Sequence, residues 1–148
     1  MFSTVKNAEN HFYDAFSNCD LEKMMSVWLD SNEISCIHPG SSALVGTSQI
    51  TLSWQQIFNP ISKRFFDVKE INQIRTGSFC VRLVKENIYL GEKNFAAPPV
   101  YATNIYRKFD SSWFMISHHA SMSSIRLDPD FFSSRRNTDT TGQSDGLH

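Results

Sequence analysis

The sequence predicts an α+β domain: a cone-shaped, strongly curved antiparallel sheet with N-terminal helices packed on its concave face. Three observations lead there. Apolar residues recur at helical spacing over the first sixty positions, and from Phe65 onward the texture changes to strands separated by turn residues. Runs of helices followed by runs of strands place helices on one face of a sheet. Third, the 148 residues include 12 Phe, 4 Tyr and 3 Trp while only 20% are charged. That composition suits a large apolar interior, and a curved sheet closed by helices leaves a cavity inside it. A chain of this length forms one domain and buries roughly 68–70% of its unfolded surface, so it needs no disulfide or metal staple.

The elements follow in order. Val5, Ala8, Phe12, Ala15 and Phe16 share one face of a helix over 5–16. Asp20 stands before Leu21, Met24, Met25 and Trp28, so its carboxylate can cap a second helix. Residues 34–38 read as a short strand stopped by Pro39-Gly40. Thr47 or Ser48 is placed to cap a third helix carrying Ile50, Trp54, Ile57 and Phe58, which Asn59-Pro60 ends. Strands follow over 66–74 and 79–84, turning at Thr76-Gly77, and 87–99 reads as a loop. Residues 100–109 and 113–122 form the last pair, joined through Asp110-Ser111-Ser112. The domain is expected to span 1–125; residues 126–148 are polar and expected to be a disordered tail, with Phe131-Phe132 able to dock.

Charge and cysteine content exclude several classes. Fourteen Lys and Arg against fifteen Asp and Glu leave a formal charge of −1, without the basic concentration that binds nucleic acid or anionic membranes. Neither partner is expected. Cys19, Cys36 and Cys80 form neither a paired framework nor a CxxC knuckle and read as thiols in a reducing compartment. The first residues lack an apolar signal core, and no run nears the ~20 residues of a membrane span. A cytoplasmic protein is the expectation. No metal-ligand spacing, phosphate loop or Ser-His-Asp signature is found, so no metal and no cofactor is expected.

Four segments carry a resemblance. They are residues 12–16 (Phe-Tyr-Asp-Ala-Phe) with Asp20-Leu21; Trp28 leading to His38-Pro39-Gly40; Gly46 followed by Ile50, Ser53-Trp54 and Ile57-Phe58; and residues 102–107 (Ala-Thr-Asn-Ile-Tyr-Arg) leading to Trp113 and residues 118–121 (His-His-Ala-Ser). In this order they resemble the nuclear transport factor two-like superfamily, in its SnoaL-like, ketosteroid-isomerase-like branch. The resemblance implies a cone with a pocket between helices and sheet, and a homodimer packed through the outer sheet face. It is far less specific for activity, because the fold hosts isomerases, cyclases, dehydratases, epoxide hydrolases and noncatalytic assembly domains.

Candidate chemistry centres on two histidines. In the isomerase-like pattern the neighbourhood of His38 supplies the general base, and an imidazole suits proton transfer near neutrality. Uninterrupted alternation puts Trp113, Met115, Ser117, His119 and Ser121 on one strand face. With the Trp row inward, as in relatives, His119 faces the pocket and His118 the outer surface; a slip of one residue exchanges them. The isomerase tyrosine on the first helix is matched by Phe12, which cannot donate to an oxyanion. Asn104 and Tyr106 are the candidate substitutes. Trp28, Trp54, Phe58 and Phe12 read as core and ligand-binding wall, and Glu86 as a solvated carboxylate at a strand end, with the pocket rim as its alternative place. The expected function is cofactor-free acid–base chemistry at His38 and His119, of isomerase, dehydratase or cyclase type, on a small, largely apolar ligand. The alternative is a noncatalytic ligand-binding or homodimerisation module; a nucleic-acid or transport adaptor has only fold analogy behind it.

Overall fold

A computed structural model describes residues 1–91 and 97–123. Helix α1 (Val5–Asn18) starts where the Thr4 hydroxyl accepts from the Asn7 amide, and stops at Cys19 in the left-handed conformation. Asp20 caps α2 (Leu21–Val27) by accepting from the Lys23 amide, as its position predicts. Strand β1 (Ser35–Ile37) pairs antiparallel with β2 (Leu44–Val45), a strand too short to show in the pattern. Helix α3 (Thr47–Ile57) departs from expectation at its start. Gly46 holds the cap position without a side-chain bond, and the Thr47 hydroxyl turns away to Asp30 and Ser31.

Four long strands complete the sheet: β3 (Arg64–Thr76), β4 (Phe79–Leu90), β5 (Val100–Phe109) and β6 (Ser112–Met122). The strand order is β2-β1-β6-β5-β4-β3 in a curved, unclosed sheet. All pairings are antiparallel except β1 with β6, which is parallel. Two corrections matter for function. Strand β4 continues to Leu90, so Glu86 lies within the strand and not at its end, and Ile88 belongs to the strand and not to a loop. Strand β6 carries a bulge: Ile105 pairs with Ser117 but Tyr106 with Met115, leaving Ile116 unopposed. The proposed tail over 126–148 and its Phe131-Phe132 lie outside the described residues.

The concave face of the sheet and the helices enclose one apolar core, with Phe12, Met24, Ile50, Trp54, Tyr106, Trp113 and Met115 fully buried. Trp54 holds its centre, edge-on to Phe12 at 5.6 Å and to Phe16 at 4.8 Å between centroids. Such aromatic pairs contribute about 0.5–1.5 kcal/mol each beyond their buried area. Among the described residues no helix is long and apolar enough to cross a membrane.

Candidate functional site

A cavity of about 540 Å³ opens between α1, α3 and the β1–β2 turn on one side and β4, β5 and β6 on the other. That is the size of a small-molecule site. His38, Ser41, Ser42, Ser53, Gln56, Glu86 and His118 supply polar groups to a wall whose apolar part includes Phe16, Leu44, Ile57, Ile88 and Val100. Neither Lys nor Arg lines it among the described residues.

The bulge decides which histidine enters. Up to Met115 the odd-numbered residues of β6 point inward; past the unopposed Ile116 the even-numbered ones do. His118 is therefore 2% exposed and on the cavity wall, whereas His119 is exposed on the outer face. The sequence expectation of His119 in the pocket is overturned by this one extra residue.

His38 lies at the end of β1, as expected, and is buried. Its Nε2 is 2.9 Å from Ser53 Oγ and 3.7 Å from Cys36 Sγ. The Ser53 hydroxyl donates to Ile50 O at 2.7 Å, so Nε2 is the donor in the histidine–serine bond and Nδ1 keeps a lone pair. The ring stands edge-on to Trp54, with centroids 4.7 Å apart; the His118 ring is 6.2 Å from the same indole and 5.0 Å from Phe12. Burial lowers the pKa of His38. It lowers that of His118 to about 3, with smaller contributions from His38 and His119. Burial thus favours the neutral form of both imidazoles.

Sequence reasoning left Glu86 at a solvated strand end or at the pocket rim and gave it no part in the chemistry. Glu86 is 2% exposed and lines the cavity, and burial raises its pKa to about 7; the Tyr13 hydrogen bond acts in the opposite direction and Glu9 adds to the rise. Tyr13 donates to Glu86 Oε2 at 2.6 Å and accepts from Asn104 Nδ2 at 2.9 Å; Asn104 Oδ1 is 2.5 Å from His118 Nδ1. Desolvation first, then the carboxylate beside it, pushes the Tyr13 phenol well above its usual range. One signal was present in the sequence: β4 alternates strictly from Cys80, and extending that alternation past Val84 puts Glu86 inside.

The remaining candidates take other places. Trp54 and Phe12 stand behind the histidines as a second layer, and Phe58 packs on Trp54 without lining the cavity. Trp28 bridges to Met115 in the core. Tyr106 donates to Glu9 Oε2 at 3.1 Å, within a buried cluster where Arg82 grips both Glu9 oxygens, at 2.6 and 3.2 Å, and reaches Glu70 at 2.6 Å. Asn104 touches the cavity only through His118. No group of three or more His, Cys, Asp or Glu among the described residues could hold a metal ion.

A curved sheet wrapped by three helices around a cavity with buried ionisable groups defines a protein of the nuclear transport factor two-like fold. Residues 5–124 match the SnoaL-like domain family, and the chain belongs to that family. A candidate calcium/calmodulin-dependent protein kinase type II association domain from Thiobacillus denitrificans is 34% identical, with a TM-score of 0.79 over 82% of this chain and 97% of that one. A candidate dehydratase of the NTF2-like family from Streptomyces avermitilis is 28% identical, with a TM-score of 0.71 over 82% of this chain and 95% of that one. A ketosteroid isomerase-like protein from Erwinia carotovora, 15% identical with a TM-score of 0.64 over 84% and 97%, shares the fold. The F-box protein SKIP8 of Arabidopsis thaliana is 25% identical over 121 residues, 80% of this chain and 49% of that protein, so the chain spans about half that relative's length.

Proposed function

We propose that the cavity carries out cofactor-free proton transfer on a small, uncharged, largely apolar substrate, in a reaction of isomerase or dehydratase type. One observation carries the reading: His118 and Glu86 share a wall of the same cavity, the first neutral with a free ring nitrogen, the second able to keep its proton near neutrality. Two ionisable groups whose environments leave one as base and the other as acid form an acid–base pair. In an isomerisation His118 Nε2 takes a proton from carbon while Glu86 gives one to the far end of the shifting double bond. In a dehydration the same carbon-bound proton goes to His118, the C–H pair becomes the new double bond, and the departing hydroxide leaves as water with the Glu86 proton. Either way imidazolium and carboxylate result, and solvent restores them. His38 is the second base available to the cavity. The absence of Lys and Arg from the described lining favours an uncharged substrate, since a buried anion without a partner is costly. The dehydratase name of the Streptomyces protein fits this reading.

The test is exchange of carbon-bound hydrogen for solvent deuterium, followed by NMR on a panel of small cyclic ketones and hydroxyketones. Exchange by the wild type that falls about 10²-fold or more in both His118→Ala and Glu86→Gln supports the assignment. Exchange that neither substitution slows rules it out.

A second reading, homodimerisation, rests on the outer sheet face. There Ile74, Val81 and Ile105 lie in one row across three strands, beside Leu83 and exposed Phe79 and Tyr101. The Thiobacillus relative is named for an association domain. Sedimentation equilibrium at micromolar concentration should return twice the chain mass, and monomer mass throughout would remove this reading.

A further inference from the structure

We propose that Asn104 is the positioning residue of the cavity: with Tyr13 it forms a one-way hydrogen-bond relay from His118 to Glu86 that fixes His118 as the Nδ1–H tautomer. The purpose of such a relay rests on the acid–base reading above, but its existence follows from the hydrogens available. A phenol has one proton, and Tyr13 gives it to Glu86 Oε2 at 2.6 Å. With that proton committed, the Tyr13 oxygen can only accept, so the Asn104 atom facing it at 2.9 Å is the amide nitrogen. The other end of Asn104 is then a carbonyl, which cannot donate. His118 Nδ1, 2.5 Å from it, must carry the hydrogen.

Every donor in the chain points toward Glu86, and two consequences reach the cavity. Nε2 is left as the sole acceptor of His118, so a ligand meeting this ring must bring its own hydrogen, as an acidic C–H, a hydroxyl or an N–H. At the other end Oε2 is occupied as an acceptor. The proton that Glu86 carries when neutral then sits on Oε1, which makes no hydrogen bond among the described residues. The relay thus presents a bare nitrogen and a protonated oxygen from one network, although the residue that sets both, Asn104, does not line the cavity. Asn104 is fully buried at the middle of β5, and His118 is its direct cross-strand neighbour, so the backbone register holds the pair together. Ring packing from Phe12 at 5.0 Å limits how far the imidazole can swing to find another partner.

The experiment is histidine side-chain ¹⁵N NMR on the uniformly labelled, ligand-free protein, with the His118 signals assigned by their loss in His118→Gln. The wild type should show His118 protonated at Nδ1 and bare at Nε2. Asn104→Leu, which keeps the size and removes the acceptor, should convert His118 to the Nε2–H form or to an averaged mixture. An Nε2–H tautomer in the wild type means that the chain runs in the opposite direction with its proton on Glu86 Oε2, and it overturns the proposal. So does an Nδ1–H signal unchanged by Asn104→Leu. Should that variant fail to fold, the wild-type spectrum decides alone, Nδ1–H supporting the relay and Nε2–H ending it. Failure here is separable from failure of the catalytic reading: a wrong tautomer beside intact deuterium exchange removes only the relay, and a correct tautomer without any exchange removes only the catalysis.

Discussion

At the scale of single residues, the cavity wall spends stability to hold ionisable groups out of water. Glu86 has a folded pKa of about 7 against the usual 4.5, so between those values the unfolded chain ionises first. Stability from this group is intact below about 4.5 and lost as pH rises through 7. Glu86→Gln, which has no proton to lose, should therefore stabilise the fold by up to about 3 kcal/mol at pH 8, seen as a raised Tm, and much less at pH 5. Paired thermal melts check this, and equal shifts at both pH values would contradict it. His118 works in the opposite sense: its pKa falls to about 3 on folding, so acid destabilises progressively from about 6.5 down to 3 as the unfolded ring takes up a proton. Turnover, once a substrate is found, should rise above the histidine pKa and fall near pH 7 as Glu86 ionises, and Glu86→Gln should abolish the upper limb. A second buried carboxylate, Glu9, is held by Arg82, so Arg82→Leu should cost about 3–5 kcal/mol in urea unfolding while Glu9→Leu with Arg82→Leu recovers much of that. None of these partnerships was legible in the sequence. Tyr13 and Glu86, like Glu9 and Arg82, are 73 positions apart, and only the folded register brings them together. His38 was legible because a proline-terminated strand end fixes its place locally.

At the scale of elements, helices α1 and α2 and the hairpin strands β5 and β6 were readable because period and turn chemistry are local signals. Asp20 before an i, i+3, i+4 pattern needs nothing from the rest of the chain to become a cap. A β-bulge is different. Its extra residue is defined by what lies opposite on another strand, and β6 alone shows only uninterrupted alternation. That single feature exchanges His118 for His119, and with them the identity of the site. The hairpin between β5 and β6 offers a test at this scale. Asp110 and Ser111 both adopt positive φ, 48° and 66°, as a two-residue primed turn requires. Serine is strained there and glycine is not, so Ser111→Gly should stabilise the domain by about 0.5–1 kcal/mol without altering the cavity. Chemical denaturation with an unchanged m-value would bear this out; destabilisation would mean that Ser111 makes a contact worth more than its backbone strain.

At the scale of the whole molecule, the inner and outer faces of the sheet divide the labour. The inner face is committed to the core, the Glu9–Arg82 cluster and the cavity. Among the described residues the outer face has no layer over it, and it exposes Ile74, Phe79 and Tyr101 beside half-buried Val81, Leu83 and Ile105. The bulge puts His119 on this surface, paired with Thr103 in the row that runs from Ile37 to Leu83 across four strands. In the proposed homodimer a two-fold contact through this face repeats every substitution on both sides, residue i meeting j and j meeting i. A fixed charge at the position is then buried twice in an apolar face without an opposite partner, which is costly. His119→Asp should therefore weaken association by at least about tenfold, the equivalent of about 1.4 kcal/mol. Since association stabilises the folded chain, wild-type Tm should rise with protein concentration, and that slope should flatten in the variant. The His118 ring signals should stay where they were, because His119 points away from the cavity. Melts over a hundredfold range of concentration, with sedimentation and the histidine spectrum on the same samples, read all three quantities. A variant that keeps the wild-type slope places the partner surface elsewhere. One that disturbs the His118 signals shows that the two faces are coupled through the strand, and that separating them by function is mistaken.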